Sequence, residues 1–146
     1  MEKEITATFI GHKECFGLEN EVIKAELIKL IEQGVSVFLN GGMGGLDWKC
    51  AGILRDLKKE HPHIKSYLVI PYLTFPVTSP EYFDEILYPE GFERYHFKAA
   101  IPARNKYMVE NSSYALCYVN HGWGGAAQTY EKAMKKGLKL VNLGSL

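Results

Sequence analysis

Residues 35–50 read VSVFLNGGMGGLDWKC, and the fold turns on this stretch. Val35, Val37, Phe38 and Leu39 make a short apolar, β-branched run, which predicts a buried strand. The run stops at Asn40, and Gly41, Gly42, Gly44 and Gly45 follow around a single methionine. A helix then opens near Leu46 and Asp47. Strand, glycine loop and helix in this order gather backbone N–H groups around an anion, and glycine leaves no Cβ between main chain and ligand. The spacing GGMGGxD is neither G-x-G-x-x-G nor a P-loop ending in Gly-Lys-Ser/Thr. It points to a phosphate or ribose site without choosing between them.

The same grammar recurs on either side. Residues 5–10 (ITATFI) predict a strand that ends at Gly11-His12-Lys13. Leu18, Val22, Ile23, Leu27, Leu30 and Ile31 are spaced for a helix over 18–33, stopped by Gly34. A helix over 46–60 breaks at His61-Pro62-His63, and residues 64–70 (IKSYLVI) predict a third strand closed by Pro71. Residues 72–92 carry Pro76, Pro80 and Pro89 and read as an ordered excursion with one short helix near 81–86. So long a connection in a compact domain is more often functional than idle.

Residues 92–97 read as an extended piece, and Pro102 suits the first turn of a helix running to Ser112. A strand over 114–119 ends in Asn120-His121-Gly122-Trp123-Gly124-Gly125. A helix over 126–136, stopped by Gly137, leads to a last strand over 138–143. The alternation predicts an α/β fold: a single Rossmann-like, three-layer domain over 1–146, with a mostly parallel sheet and helices on both faces. In such folds ligands bind beyond the carboxyl ends of the strands, so the loops at Gly11, 41–45 and 122–125 are expected to converge on one crevice.

Composition narrows the function. Lysine plus arginine equal aspartate plus glutamate, 17 against 17, which argues against a generic nucleic-acid or anionic-membrane binder. The three cysteines, Cys15, Cys50 and Cys117, include no C-x-x-C pair, and Cys50 and Cys117 sit in apolar patterns that suit buried free thiols. His12, His61, His63, His96 and His121 show no metal-ligand spacing, so no metal site is expected. No run approaches the roughly 20 apolar residues of a membrane span, and a cytoplasmic location with no membrane partner is expected.

Five short motifs in order resemble the Smf/DprA–LOG (SLOG) superfamily of Rossmann-like proteins, and most closely its YpsA-like branch. They are Thr8-Phe9-Ile10-Gly11-His12-Lys13, Asn40-Gly-Gly-Met-Gly-Gly-Leu-Asp47, Pro89-Glu90-Gly91, Arg104-Asn105-Lys106-x-Met108, and Gly124-Gly125-x-x-x-Thr129-x-Glu131. The LOG enzymes of the superfamily release the base from nucleoside 5′-monophosphates, using Gly-Gly-x-Gly-Thr-x-x-Glu and an upstream arginine. By that resemblance the glycines fall on Gly124 and Gly125, the catalytic pair on Glu131 and Arg104, and the third glycine and threonine become Ala127 and Gln128. Relatives often have Gly-x-Arg where this chain has Gly11-His12-Lys13. Ala127 and Gln128 count against phosphoribohydrolase activity, while Glu131 in register counts for it.

Each candidate residue has a structural alternative. Arg104 suits an anion clamp near a helix start, or an ion pair with Glu110. Asn105 and Lys106 each suit a ligand contact or a solvated helix position, with Asn105 counted in the expected binding set. Glu131 suits polarising a water or ribose hydroxyl, or an i, i+4 pair with Lys135. Asp47 suits a first-turn or N-cap acid, a ribose contact, or both. Gly11, His12, Gly41, Gly42, Gly44, Gly45, Gly124, Gly125, Gln128 and Thr129 complete the expected binding set. Trp123 and Tyr72 suit base stacking or partial core. Arg94-Tyr-His-Phe-Lys98 adds positive charge near the crevice or is a solvated surface.

The first expectation is therefore a sensor or carrier that binds the phosphate of a nucleotide or nucleotide sugar and requires no other cofactor. The alternative is a nucleoside 5′-monophosphate phosphoribohydrolase built on Glu131 and Arg104. Single-stranded DNA binding, as in the DprA relatives, comes third because the net charge is zero. Met108, Val109 and Met134 suit either the core or the interface of a homodimer or larger homo-oligomer.

Overall fold

The computed structural model describes residues 4–145; residues 1–3 and 146 of the expected domain lie outside the described residues. Strands and helices alternate: β1 (Ile5–Gly11), α1 (Asn20–Glu32), β2 (Val35–Asn40), α2 (Gly45–Leu57), β3 (Lys65–Val69), β4 (Glu85–Leu87), α3 (Phe97–Glu110), β5 (Tyr114–Tyr118), α4 (Gly125–Lys136) and β6 (Lys139–Asn142). The strands form one sheet in the order β4-β3-β2-β1-β5-β6. Every pairing in it is parallel. The Rossmann-like α/β expectation holds, with a sheet that is wholly rather than mostly parallel.

Both faces are covered because successive strand residues point to opposite sides. Ala7 and Phe9 of β1 and Phe38 of β2 pack against Ile23, Leu27 and Leu30 of α1 and Leu46, Cys50 and Leu54 of α2. Ile10, one residue past Phe9, joins Val109, Ala127 and Ala133 beneath α3 and α4. Val37 and Leu39 meet Met108 on that same face. Thr8 is fully buried among these strands, and its hydroxyl donates to the Leu39 carbonyl at 2.9 Å, so the polar atom is satisfied.

Strand order reverses at β1: the chain moves to β2 on one side, while β5 and β6 lie on the other. In register, Ile10 sits beside Cys117 and Gly11 beside Tyr118, so β1 and β5 end together. Loops leaving these two strand ends diverge and open a crevice between them.

Three local expectations change. The short helix expected near 81–86 is a single 3₁₀ turn, Pro80–Tyr82, followed by β4. Asp84 is the reason: its N–H donates to the Ser66 carbonyl at 2.8 Å, its carboxylate accepts the Ser66 N–H at 2.8 Å, and it pairs with Lys58. Clamped along β3, the segment can only continue as an edge strand.

The extended piece expected over 92–97 contains a 3₁₀ turn, Phe92–Arg94, entered through Gly91 at φ +84° and anchored by the buried Phe92 ring. Helix α3 starts at Phe97 rather than Pro102, because the His96 side chain accepts the Lys98 N–H and caps it. Pro102 lies inside the helix on its exposed side, where water can serve the carbonyl its missing N–H leaves free. Met108 and Val109 are core residues, each 4% exposed, whereas Met134 faces solvent. Cys15, Cys50 and Cys117 are all free and buried. Among the described residues no helix is long and apolar enough to cross a membrane.

Candidate functional site

A cleft of about 350 Å³ opens at the carboxyl ends of the central strands. Gly11 lines it from the end of β1, Lys13 from the loop that follows, and Gly41, Met43 and Gly44 from the loop after β2. Asp47 adds the first turn of α2, Arg104 and Asn105 the middle of α3, and Gly125, Ala126 and Thr129 the start of α4.

Asn40, fully buried at the end of β2, shapes the first glycine loop. Its side-chain oxygen accepts the Gly42 N–H at 2.8 Å and its amide donates to the Asp47 carbonyl at 2.8 Å. That Asx-type closure holds Gly42 at φ +64°, in the left-handed region glycine favours. The Asp47 carboxylate then accepts the Met43 N–H at 3.0 Å. Gly42 faces the core, since a Cβ there would sit 2.7 Å from Leu68 Cδ1. Gly41 faces the arginine instead, with its would-be Cβ 3.2 Å from Arg104 Cζ.

Arg104 is 1% exposed, unusual for a cation. Its Nη1 donates to the carbonyls of Gly41 at 2.8 Å and Val69 at 2.9 Å, and its Nε donates to Asn105 Oδ1 at 3.0 Å. Nη2 lies 2.9 Å from the sulfur of Met43, whose side chain is half-exposed at the cleft mouth. No ion pair within 4.0 Å among the described residues includes Arg104, so neither Glu110 nor any other carboxylate neutralises it directly. Burial lowers its pKa to about 10, against the pull of Asp47 and Tyr72. Burial likewise raises the Asp47 carboxyl above its ordinary value, opposed by the Met43 N–H and the charge of Arg104. The guanidinium is thus held by carbonyl dipoles with one donor edge near the cleft.

Helix N-termini supply more positive potential. No side chain caps α2 or α4, whose N-cap residues are Gly44 and Gly124. The Gly45 N–H is taken by the Lys13 carbonyl at 2.9 Å, whereas the first turn of α4 borders the cleft at Gly125 and Ala126. Thr129 turns its hydroxyl back onto the Gly125 carbonyl at 2.9 Å. The Cys50 thiol is fully buried, and burial pushes its pKa well above the ordinary range.

At the rim, the His12 ring stacks on His121 at 3.6 Å, and His121 stacks on Trp123 at 3.6 Å. His12 Nε2 accepts the Asn120 N–H at 3.2 Å, tying the loop after β1 to the loop after β5. Burial and the charge of His121 hold the His12 imidazole below its ordinary 6.5. The native state therefore gives up this proton at lower pH than the unfolded chain does. Its contribution to stability is complete above pH 6.5 and is lost as pH falls through the native His12 value. In urea unfolding between roughly pH 5 and 8, His12→Phe, which stacks but does not titrate, is expected to flatten the acid-side slope.

Of the residues singled out from sequence, Gly11, Gly41, Gly44, Asp47, Arg104, Asn105, Gly125 and Thr129 line the cleft. His12, Gly42, Gly45, Gly124 and Gln128 flank those lining positions in sequence without lining it. Glu131 is 67% exposed, pairs with Lys135 at 3.2 Å, and does not line the cleft either. Lys13 and Met43 line it without having been singled out; each lay inside a quoted motif, and only the folded loops show which side it faces. Among the described residues no three His, Cys, Asp or Glu side chains gather as a metal site.

Comparisons with known proteins agree with this architecture. A UPF0398 protein of Halalkalibacterium halodurans is 26% identical over 126 residues, covering 80% of this chain and 67% of that protein. The crystal structure of DNA processing protein A (DprA) from Streptococcus pneumoniae superposes with a TM-score of 0.67 at 16% identity, over 95% of this chain and 50% of that one. DNA processing protein A from Helicobacter pylori, described for its single-stranded DNA binding mode, gives 0.63 at 14% identity, over 94% of this chain and 64% of that one. The chain thus spans half of the first DprA protein and under two thirds of the second, and the likeness is one of fold. These neighbours lend no support to the expectation against nucleic acid. The family model described as the YspA SLOG family matches residues 9–141, nearly the whole chain, and the protein belongs to that family.

Proposed function

We propose that the protein binds the phosphate of a nucleotide or nucleotide derivative in this cleft, as a ligand sensor or carrier. The carrying observation is Arg104: a buried guanidinium with no carboxylate within 4.0 Å among the described residues, bordering a glycine-lined cleft at the start of an uncapped helix. A dianion near its outward edge gains the guanidinium charge, the field of α4 and the charge of Lys13 together. The cleft volume, about 350 Å³, lies in the range of small-ligand sites. Hydrolysis is the weaker reading, because Glu131 points away into its pair with Lys135.

The test is thermal melting with each common nucleoside 5′-monophosphate, alongside chromatography for free base. One nucleotide at 100 times its Kd is expected to stabilise the fold by roughly 2.7 kcal/mol, without base release. Lys13 is exposed and makes no ion pair among the described residues, so Lys13→Ala is expected to leave the unliganded melting point unchanged. Its affinity should fall by roughly fivefold, as for an exposed charge contact of about 1 kcal/mol. Base release would replace the sensor with the hydrolase. No upshift with any nucleotide would overturn the proposal.

A further inference from the structure

We infer that the free face of Trp123 is a stacking platform for the base of a mononucleotide whose phosphate occupies the cleft, an inference that rests on the reading of the cleft just given. His12, His121 and Trp123 form a ladder of three rings at 3.6 Å spacing, with interplanar angles of 12° and 21°. That is the spacing of face-to-face aromatic layers, and the ladder ends at an indole that is 70% exposed. One face of Trp123 rests on His121, and among the described residues no other ring stacks on the opposite face.

Gly122 and Gly124 flank the indole, and a Cβ on either would meet nothing within 4 Å. The ring stacks on His121, which stacks on His12, whose Nε2 accepts the Asn120 N–H. This arrangement holds a large apolar surface toward water beside a cleft built for an anion.

The ladder also sits where a base would emerge. His12 lies between Gly11 and Lys13, and both of these line the cleft. Trp123 precedes the lining residue Gly125 by two positions, a backbone span of roughly 7 Å at most. A nucleotide with its phosphate at Arg104 and the start of α4 carries its base outward to this rim, where it adds a fourth ring. Stacking of this kind reads the π-face rather than the hydrogen-bonding edge, so it accepts purines and pyrimidines alike.

Calorimetric titration of the whole chain with AMP, ribose 5-phosphate and adenosine separates the two halves of the ligand. AMP is expected to bind tightest, and Trp123→Ala to weaken it by roughly five- to a hundredfold while leaving ribose 5-phosphate unchanged. Trp123→Phe should fall between the two. Equal binding of AMP and ribose 5-phosphate, or AMP binding untouched by Trp123→Ala, would overturn the platform and leave the phosphate reading standing. Adenosine binding that needs Trp123 while ribose 5-phosphate does not bind would uphold the platform and overturn the phosphate reading. An oligothymidylate that binds far more tightly than TMP would give the platform to a DNA strand and overturn the mononucleotide assignment. No binding of AMP or adenosine would overturn both.

Discussion

Arg104→Ala is expected to remove nucleotide binding and to lower stability by about 3 kcal/mol, as two buried carbonyls lose their donor. Those carbonyls belong to Gly41 and Val69, two buried residues, each less than 3.0 Å from Nη1. Relief from burying a charge offsets part of the loss, which is why the figure stays well below the sum of the bonds. Urea unfolding measures it. Because the alanine variant is weakened, Arg104→Lys carries the functional half of the test. It keeps a cation near the cleft but loses the planar fork that reaches Gly41, Val69 and Asn105 together. A folded lysine variant should show no nucleotide-dependent melting shift. If its shift matches that of the native chain, Arg104 is a structural strut and the anion sits elsewhere.

Gly42→Ala is expected to cost roughly 2–4 kcal/mol, the sum of left-handed backbone strain and an overpacked core contact. Both causes are local to this glycine: φ is +64°, and the new methyl would lie 2.7 Å from Leu68 Cδ1. Gly125→Ala is the matched contrast. Gly125 has no positive φ and nothing within 4 Å of its would-be Cβ, so stability should change by no more than about 0.5 kcal/mol. Gly125 nonetheless lines the cleft, so nucleotide affinity should drop. Equal stability losses in the two variants would mean that the two loops do not divide scaffold and binding in this way.

Much of the fold was legible because its signals are local. The apolar run over β2, the helical stripe of Ile23, Leu27, Leu30 and Ile31, and the glycine stop at Gly34 each depend on neighbours in sequence. The misread segments depend on distant partners. Asp84 becomes the lead into a strand because Ser66 and Lys58 hold it. Helix α3 begins early because the His96 ring turns back onto the Lys98 N–H. Propensity ranks neither outcome first, since each is decided by bonds that form only once the chain has been arranged.

The candidate site divides along the same line. From sequence came the three loops, their glycines and the arginine, because glycine after a strand is a local statement about backbone freedom. Which glycine faces the cleft was not readable, since Gly41 and Gly42 are adjacent and differ only in pointing at Arg104 or at Leu68. Nor was the burial of Arg104, which requires α3 to cross beneath the ends of β2 and β3 and place two carbonyls around one nitrogen. The His12–His121–Trp123 ladder joins loops after β1 and β5, far apart in the chain and side by side in the sheet. Sequence alone determined the alternation of strands and helices and where the chain breaks, because those follow from periodicity and backbone freedom. Tertiary structure alone decided which atoms meet in the cleft, because charge burial and ring stacking exist only between residues that folding brings together.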